Sequence, residues 1–94
     1  MIRSFRDKAT AMVFSGGVPR GMERDLAGSA HRKLVALNAA EGLEDLYLPP
    51  GNRLETLRGD RVGAYSIRVN NRWRIVFFCR GDQYARQNGR LSVV

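Results

Sequence analysis

PPGNRLETLRGDRVGAYSIRVNNRWRIVFF, running from Pro49 to Phe78, decides the fold of this 94-residue chain. It holds the one sharp alternation of apolar and polar residues in the sequence. Between Ala64 and Val69, Tyr65, Ile67 and Val69 share one face and Ser66 and Arg68 the other. Between Trp73 and Phe78, Trp73, Ile75 and Phe77 share one face and Arg74, Val76 and Phe78 the other. A period of two marks half-buried strands, and two such strands this close predict a hairpin. Burial fixes its register, because a slip of one residue sends every side chain to the opposite face. A two-residue turn would set Ile67 opposite Arg74 and mix the faces. A loop of Asn70, Asn71 and Arg72 instead pairs Val69 with Trp73, Ile67 with Ile75 and Tyr65 with Phe77. That register gives one apolar face, on which Tyr65 and Trp73 read as core. The asparagines suit a left-handed loop position. It also sets Arg68 opposite Arg74, a like-charge pair that water and salt, a carboxylate or a bound phosphate must offset.

Upstream, the period is helical. Ile2 and Phe5 suit a short first strand, and Asp7 sits at an N-cap before Ala9, Met12 and Val13. Gly16-Gly17 ends that helix, and Pro19 marks a fresh start. Leu26, Ala30, Leu34 and Leu37 fall within one arc of a second helix, with Arg24 and Arg32 pointing away. Gly28 weakens its first turn, and Gly42 is placed as a C′ stop. His31 reads as a surface residue on the flank of that helix. Leu43 to Leu48 suits one more helical turn or an irregular segment, and Pro49-Pro50-Gly51 closes the helical half. Downstream of Phe78, Gln83–Gln87 and Arg90–Val94 suit a second hairpin across Asn88-Gly89, with Leu91–Val94 as a strand; a frayed tail is the alternative.

Length and composition bound the rest. The chain suffices for one domain, residues 1–94, with a single modest core. No apolar run approaches the roughly 18 residues that span a bilayer, and the first residues lack a secretory apolar region. Cys79 is the only cysteine, which with these absences fits a reducing, cytoplasmic setting. Residues 1–52 hold seven Lys/Arg against six Asp/Glu, whereas residues 53–94 hold nine arginines against three acids. Most of the net charge of +7 therefore sits in the later part. Such a half suits a polyanionic partner, although a solvated basic surface is the plainer alternative. That all nine of its cations are arginine favours planar, bidentate contacts to phosphate or carboxylate.

The combination of PPGNRLE, LRGDR, YSIRVN and WRI, with IRSF and HRKLVALNAA followed by LEDL upstream, resembles the HigB (proteic killer) branch of the RelE-type bacterial toxins. The resemblance covers residues 1–78. It implies a small α/β (α+β) fold, with two N-terminal helices packed on a mainly antiparallel sheet. It further implies ribosome-dependent cleavage of mRNA. The implied partners are the ribosome, mRNA and a cognate HigA-like helix-turn-helix antitoxin, through which alone operator DNA would be met. By the motif match, Arg58 and Arg74 are expected to contact the scissile phosphate or nearby RNA backbone. Arg61 and Arg68 are further candidates for backbone contact, and Arg53 joins them from the preceding loop. Glu55 occupies a loop position where some relatives carry histidine. Relatives commonly end in an acidic-aromatic-His sequence, whereas this chain ends GRLSVV and has no histidine after His31. That departure bears directly on turnover, and a relative that binds RNA or antitoxin without cleaving is the alternative.

The chemistry sets its own demands. Metal-independent RNA cleavage uses the adjacent 2′-OH as nucleophile. It needs a base for that proton, an acid for the 5′ leaving oxygen, and positive charge on the phosphate. Arginine suits the third role, since a guanidinium holds its proton at neutral pH. Glu55 is the candidate base, and a salt-bridge partner of Arg53 or Arg58 on the plainer reading. Asp60 reads as a turn residue. No Cys/His cluster has metal-ligand spacing, and no cofactor motif is present.

Overall fold

The computed structural model describes residues 2–57, 63–79 and 91–93. Strand β1 (Ile2–Phe5) leads into helix α1 (Lys8–Phe14) and then helix α2 (Arg24–Ala39). Asp7 caps α1 as its position predicts, its carboxylate accepting the Thr10 amide at 2.7 Å. Hydrogen bonds from Thr10 hold that carboxyl below the ordinary carboxylate range, against a smaller opposing effect of desolvation. After the cap at Ser15 the chain reverses at Gly16, whose φ of 95° suits a residue without Cβ.

Helix α2 buries Ala27, Leu34 and Leu37 and leaves Arg24 and Arg32 exposed, while Leu26 and Ala30 are half-buried. Gly28 lies inside the helix, whose first turn forms. Gly42 does not stop it. The helix ends at Ala39, Ala40 turns extended, and Gly42 is itself extended backbone leading into a 3-10 turn at Leu43–Leu46. A second 3-10 turn, Pro50–Asn52, follows the cis Leu48–Pro49 peptide. Nor is His31 a plain surface residue. It is partly buried, and its Nδ1 donates to the Val13 carbonyl at 3.0 Å, tying α2 to the end of α1.

Strands β2 (Glu55–Thr56), β3 (Ala64–Arg68), β4 (Arg74–Cys79) and β5 (Leu91–Val93) complete a five-stranded sheet in the order β1-β5-β4-β3-β2. Only β1 and β5 run parallel; the other neighbours are antiparallel. The architecture is the expected α+β fold, two N-terminal helices on a mainly antiparallel sheet. Leu91–Val93 is a strand, placed between β1 and β4. The first strand of the expected second hairpin, Gln83 to Gln87, lies outside the described residues.

The β3–β4 hairpin has the register that burial requires. Tyr65 faces Phe77, Ile67 faces Ile75, and Arg68 faces Arg74. Ile67 and Phe77 are fully buried, packed in one core with Val13, Leu34, Leu37 and Leu46. The Tyr65 and Phe77 rings stack at 5.9 Å between centroids. Two details depart from expectation. No loop residue adopts a positive φ; Asn70 shapes the turn by accepting the Arg72 and Trp73 amides on its side-chain oxygen, each at 2.8 Å. Trp73, expected in the core, is 57% exposed. It shares the apolar face but sits at the tip of the hairpin, where it lines open clefts together with Ala9, Met22 and Leu26.

Candidate nucleic-acid interface

The opposite face of the hairpin opens a shallow pocket of about 440 Å³. It is lined by Arg53, Glu55, Arg68, Arg72 and Arg74, with Asn70 and Asn71 from the hairpin loop. Of the residues singled out in the sequence, four therefore converge: Arg53, Glu55, Arg68 and Arg74. Arg58 and Arg61 lie outside the described residues, as does Asp60. Leu57, just before Arg58, donates its amide to the Ala64 carbonyl at 2.9 Å. Ala64 and Arg68 are the two ends of β3, about 13 Å apart at a strand's rise per residue.

Of the arginines described in the pocket, Arg74 makes the most hydrogen bonds. Its Nε donates to Ser66 Oγ at 2.8 Å, and its Nη2 donates to the Ser66 carbonyl at 3.3 Å and to the Arg53 carbonyl. Both bonds to Ser66 cross to the neighbouring strand, and the bond to Arg53 reaches the chain beyond it. Glu55 Oε1 stands 3.8 Å from Nη2, too far for a hydrogen bond but close enough to place a negative charge beside it. The Glu55 side chain is 59% exposed, so this pair is well screened and its carboxylate is not locked in place.

The like-charge pair across the hairpin is thus offset within the protein. Arg68 turns to the loop, where Nε donates to the Asn70 carbonyl at 3.1 Å and Nη2 donates to Asn71 Oδ1. Arg74 turns the other way, to Ser66, Arg53 and Glu55. Divergence and one carboxylate reduce the repulsion, and two further arginines, Arg53 and Arg72, keep the pocket strongly positive.

The supporting frame is the loop before β2. Asn52 is buried, and its amide donates to the Leu46 carbonyl at 3.1 Å and the Leu48 carbonyl at 3.3 Å. Its Oδ1 accepts from Lys33 Nζ on α2. Directly after it, Arg53 is left-handed at φ 46° and ψ 57°, which aims its carbonyl at Arg74. Sequence reasoning missed three contributors here: Arg72, Ser66 and the backbone of Arg53. Arg72 had a signal, since it belongs to the loop joining two arginine-bearing strands. Ser66 had a fainter one, a small polar residue between the apolar residues of a strand on the arginine face.

Among the described residues, no group of three His, Cys, Asp or Glu side chains could hold a metal ion, and no helix is long and apolar enough to cross a membrane. The pocket suits anions: guanidinium groups of Arg53, Arg68, Arg72 and Arg74, one exposed carboxylate, and amide groups from the loop.

Helices on one face of the sheet and an arginine-lined pocket on the other define a small RelE-like toxin fold. A family model described as the RelE-like toxin of the type II toxin-antitoxin system HigB matches residues 3–88. The match runs past Phe78, where the quoted motifs give out. Toxin HigB-1 of Vibrio cholerae serotype O1 is 45% identical over 82 residues, covering 82% of each chain. Endoribonuclease HigB of Proteus vulgaris is 36% identical over 89 residues, covering 89% of this chain and 91% of that protein. The chain belongs to the HigB-like toxin family.

Proposed function

We propose that this protein is the toxin of a type II toxin-antitoxin system, acting as a ribosome-dependent mRNA endoribonuclease that inhibits translation. The observation that carries the reading is the Arg74 pocket, a guanidinium held by Ser66 and the Arg53 carbonyl among three other arginines on one face of the hairpin. Support comes also from the endoribonuclease name of the Proteus vulgaris relative. In the proposed reaction the mRNA 2′-oxygen attacks the adjacent phosphorus, the P–O5′ bond breaks, the leaving 5′ oxygen takes a proton from water, and a 2′,3′-cyclic phosphate and a 5′-hydroxyl result. Arg74 meets the charge that builds on the non-bridging oxygens. Arg53, Arg68 and Arg72 hold neighbouring phosphates, joined by Arg58 and Arg61 on the motif match. Glu55 takes the 2′-OH proton once a phosphate competes for Arg74. The expected partners are the ribosome with its mRNA and a cognate HigA-like antitoxin.

A second reading, binding without turnover, is favoured by one observation. Among the described residues, Glu55 is the single carboxylate lining the pocket, and no imidazole, thiol or phenol lines it beside Glu55. The two readings separate in one experiment. Purified protein is incubated with translating ribosomes, and mRNA 5′ ends are mapped. New ends within codons, together with growth arrest on induction, support the enzyme. Intact transcripts and unimpaired growth with folded protein present sink it, and ribosome binding without new ends supports the second reading.

A further inference from the structure

We infer that Ser66, together with the left-handed backbone at Arg53, positions the Arg74 guanidinium and determines which of its edges meets phosphate. Ser66 is only 2% exposed, and among the described residues Asn52 is the one other buried polar side chain. Buried hydroxyls on strands need a partner, and this one accepts from Arg74 Nε at 2.8 Å. The remaining donors can be counted. The two Nη2 protons go to the carbonyls of Ser66 and Arg53. Among the described residues nothing engages Nη1. Three acceptors on two residues thus hold one side of the planar group and leave the Nη1 amino group to face an anion.

The second half of the device is conformational. Arg53 is the one non-glycine residue with positive φ among the described residues. Such a conformation costs a non-glycine residue free energy unless its surroundings fix it. Here the preceding Asn52 is anchored to the Leu46 carbonyl and to Lys33, and Arg74 holds the Arg53 carbonyl itself. The Arg53 side chain lines the pocket while its carbonyl holds Arg74, so the residue acts through two separate groups.

The consequence for catalysis rests on the endoribonuclease reading; the consequence for Arg74 does not. The test therefore has two arms, both on the intact protein. In the first, hydrogen exchange of the Arg74 Nε–H is followed by NMR, with exposed Arg20 as reference. Exchange in the wild type is expected to be at least ~10-fold slower than for Arg20, and within ~3-fold of Arg20 in Ser66→Ala. Unchanged protection in Ser66→Ala overturns the proposal. In the second arm, mRNA cleavage on ribosomes is measured for the same variant. Loss of positioning is expected to lower kcat ~10- to 100-fold with KM held within ~3-fold, at a Tm close to wild type. Lost protection with an unchanged kcat overturns the role in catalysis.

A pair of variants isolates the backbone. Arg53→Gly and Arg53→Val both remove the side-chain charge, but only glycine adopts the left-handed turn readily. The Gly variant is expected to keep Arg74 Nε–H protection and to cleave at least ~10-fold faster than the Val variant. Equal behaviour of the two overturns the backbone role. Should the wild type cleave nothing on ribosomes, the endoribonuclease reading falls, and the exchange arm alone decides whether Ser66 and Arg53 hold Arg74.

Discussion

The two faces of the β3–β4 hairpin obey different physics. On one, Ile67, Ile75 and Phe77 are buried against the helices by a non-directional force that asks only for apolar residues at alternate positions. On the other, Arg68 and Arg74 face each other at the cost of repulsion, and each is held by directional bonds that depend on a particular backbone. The apolar face draws its strength from volume and tolerates similar shapes. The arginine face draws its precision from a few acceptors, three of them carbonyls whose direction no side-chain substitution sets directly. Changes on the first face should therefore register as lost stability, and changes on the second as lost activity in a folded protein.

The largest expected effect lies on the apolar face. Phe77→Ala empties a fully buried site between two strands and is expected to cost about 3–5 kcal/mol, measured by urea unfolding. A cost near 1 kcal/mol would show that this face is not the core. Asn52→Ala joins the two regimes. It strips partners from two carbonyls and from Lys33, and is expected to cost about 2 kcal/mol in stability while also loosening Arg53. Stability loss without any change in cleavage would separate the loop from the pocket.

Trp73→Ala is smaller than its side-chain volume suggests. Because the ring is largely exposed at the hairpin tip, the expected cost is about 1–2 kcal/mol, well below that of Phe77→Ala by the same unfolding measurement. Equal costs would mean that the two residues are equally buried. Smallest is Asp7→Ala, expected to cost about 1 kcal/mol through loss of the α1 cap. The pH dependence has a definite sign. The folded-state pKa of Asp7 lies below its unfolded value, so its contribution is complete above the ordinary carboxylate range and is lost as pH falls through the lowered value. Below that pH, wild type and Asp7→Ala should converge in urea titrations of stability, and a gap that persists in acid would contradict the cap.

What could be read from the sequence follows the same division. The hairpin register was legible because only one pairing makes a coherent apolar face, and the Asp7 cap because its partner Thr10 is three residues away. Trp73 was misread because alternation assigns a face but not how far the helices extend over it. Gly42 was misread because glycine also suits extended backbone, and Asn70 because its side chain rather than its own φ builds the turn. In the pocket, Arg53, Glu55, Arg68 and Arg74 could be named from charge and motif. The left-handed Arg53 could not, since the sequence shows no glycine there and the conformation is held by contacts to residues far along the chain.

The measurement that tests the central claim most directly is mRNA cleavage on ribosomes by Arg74→Ala beside the wild type. With Arg74 opposing charge on the scissile phosphate, cleavage is expected to fall ~100- to 1,000-fold while the melting temperature stays close to wild type. Cleavage within ~3-fold of wild type by a folded Arg74→Ala protein would contradict the account, because the pocket would then be a basic surface and not the site of the reaction.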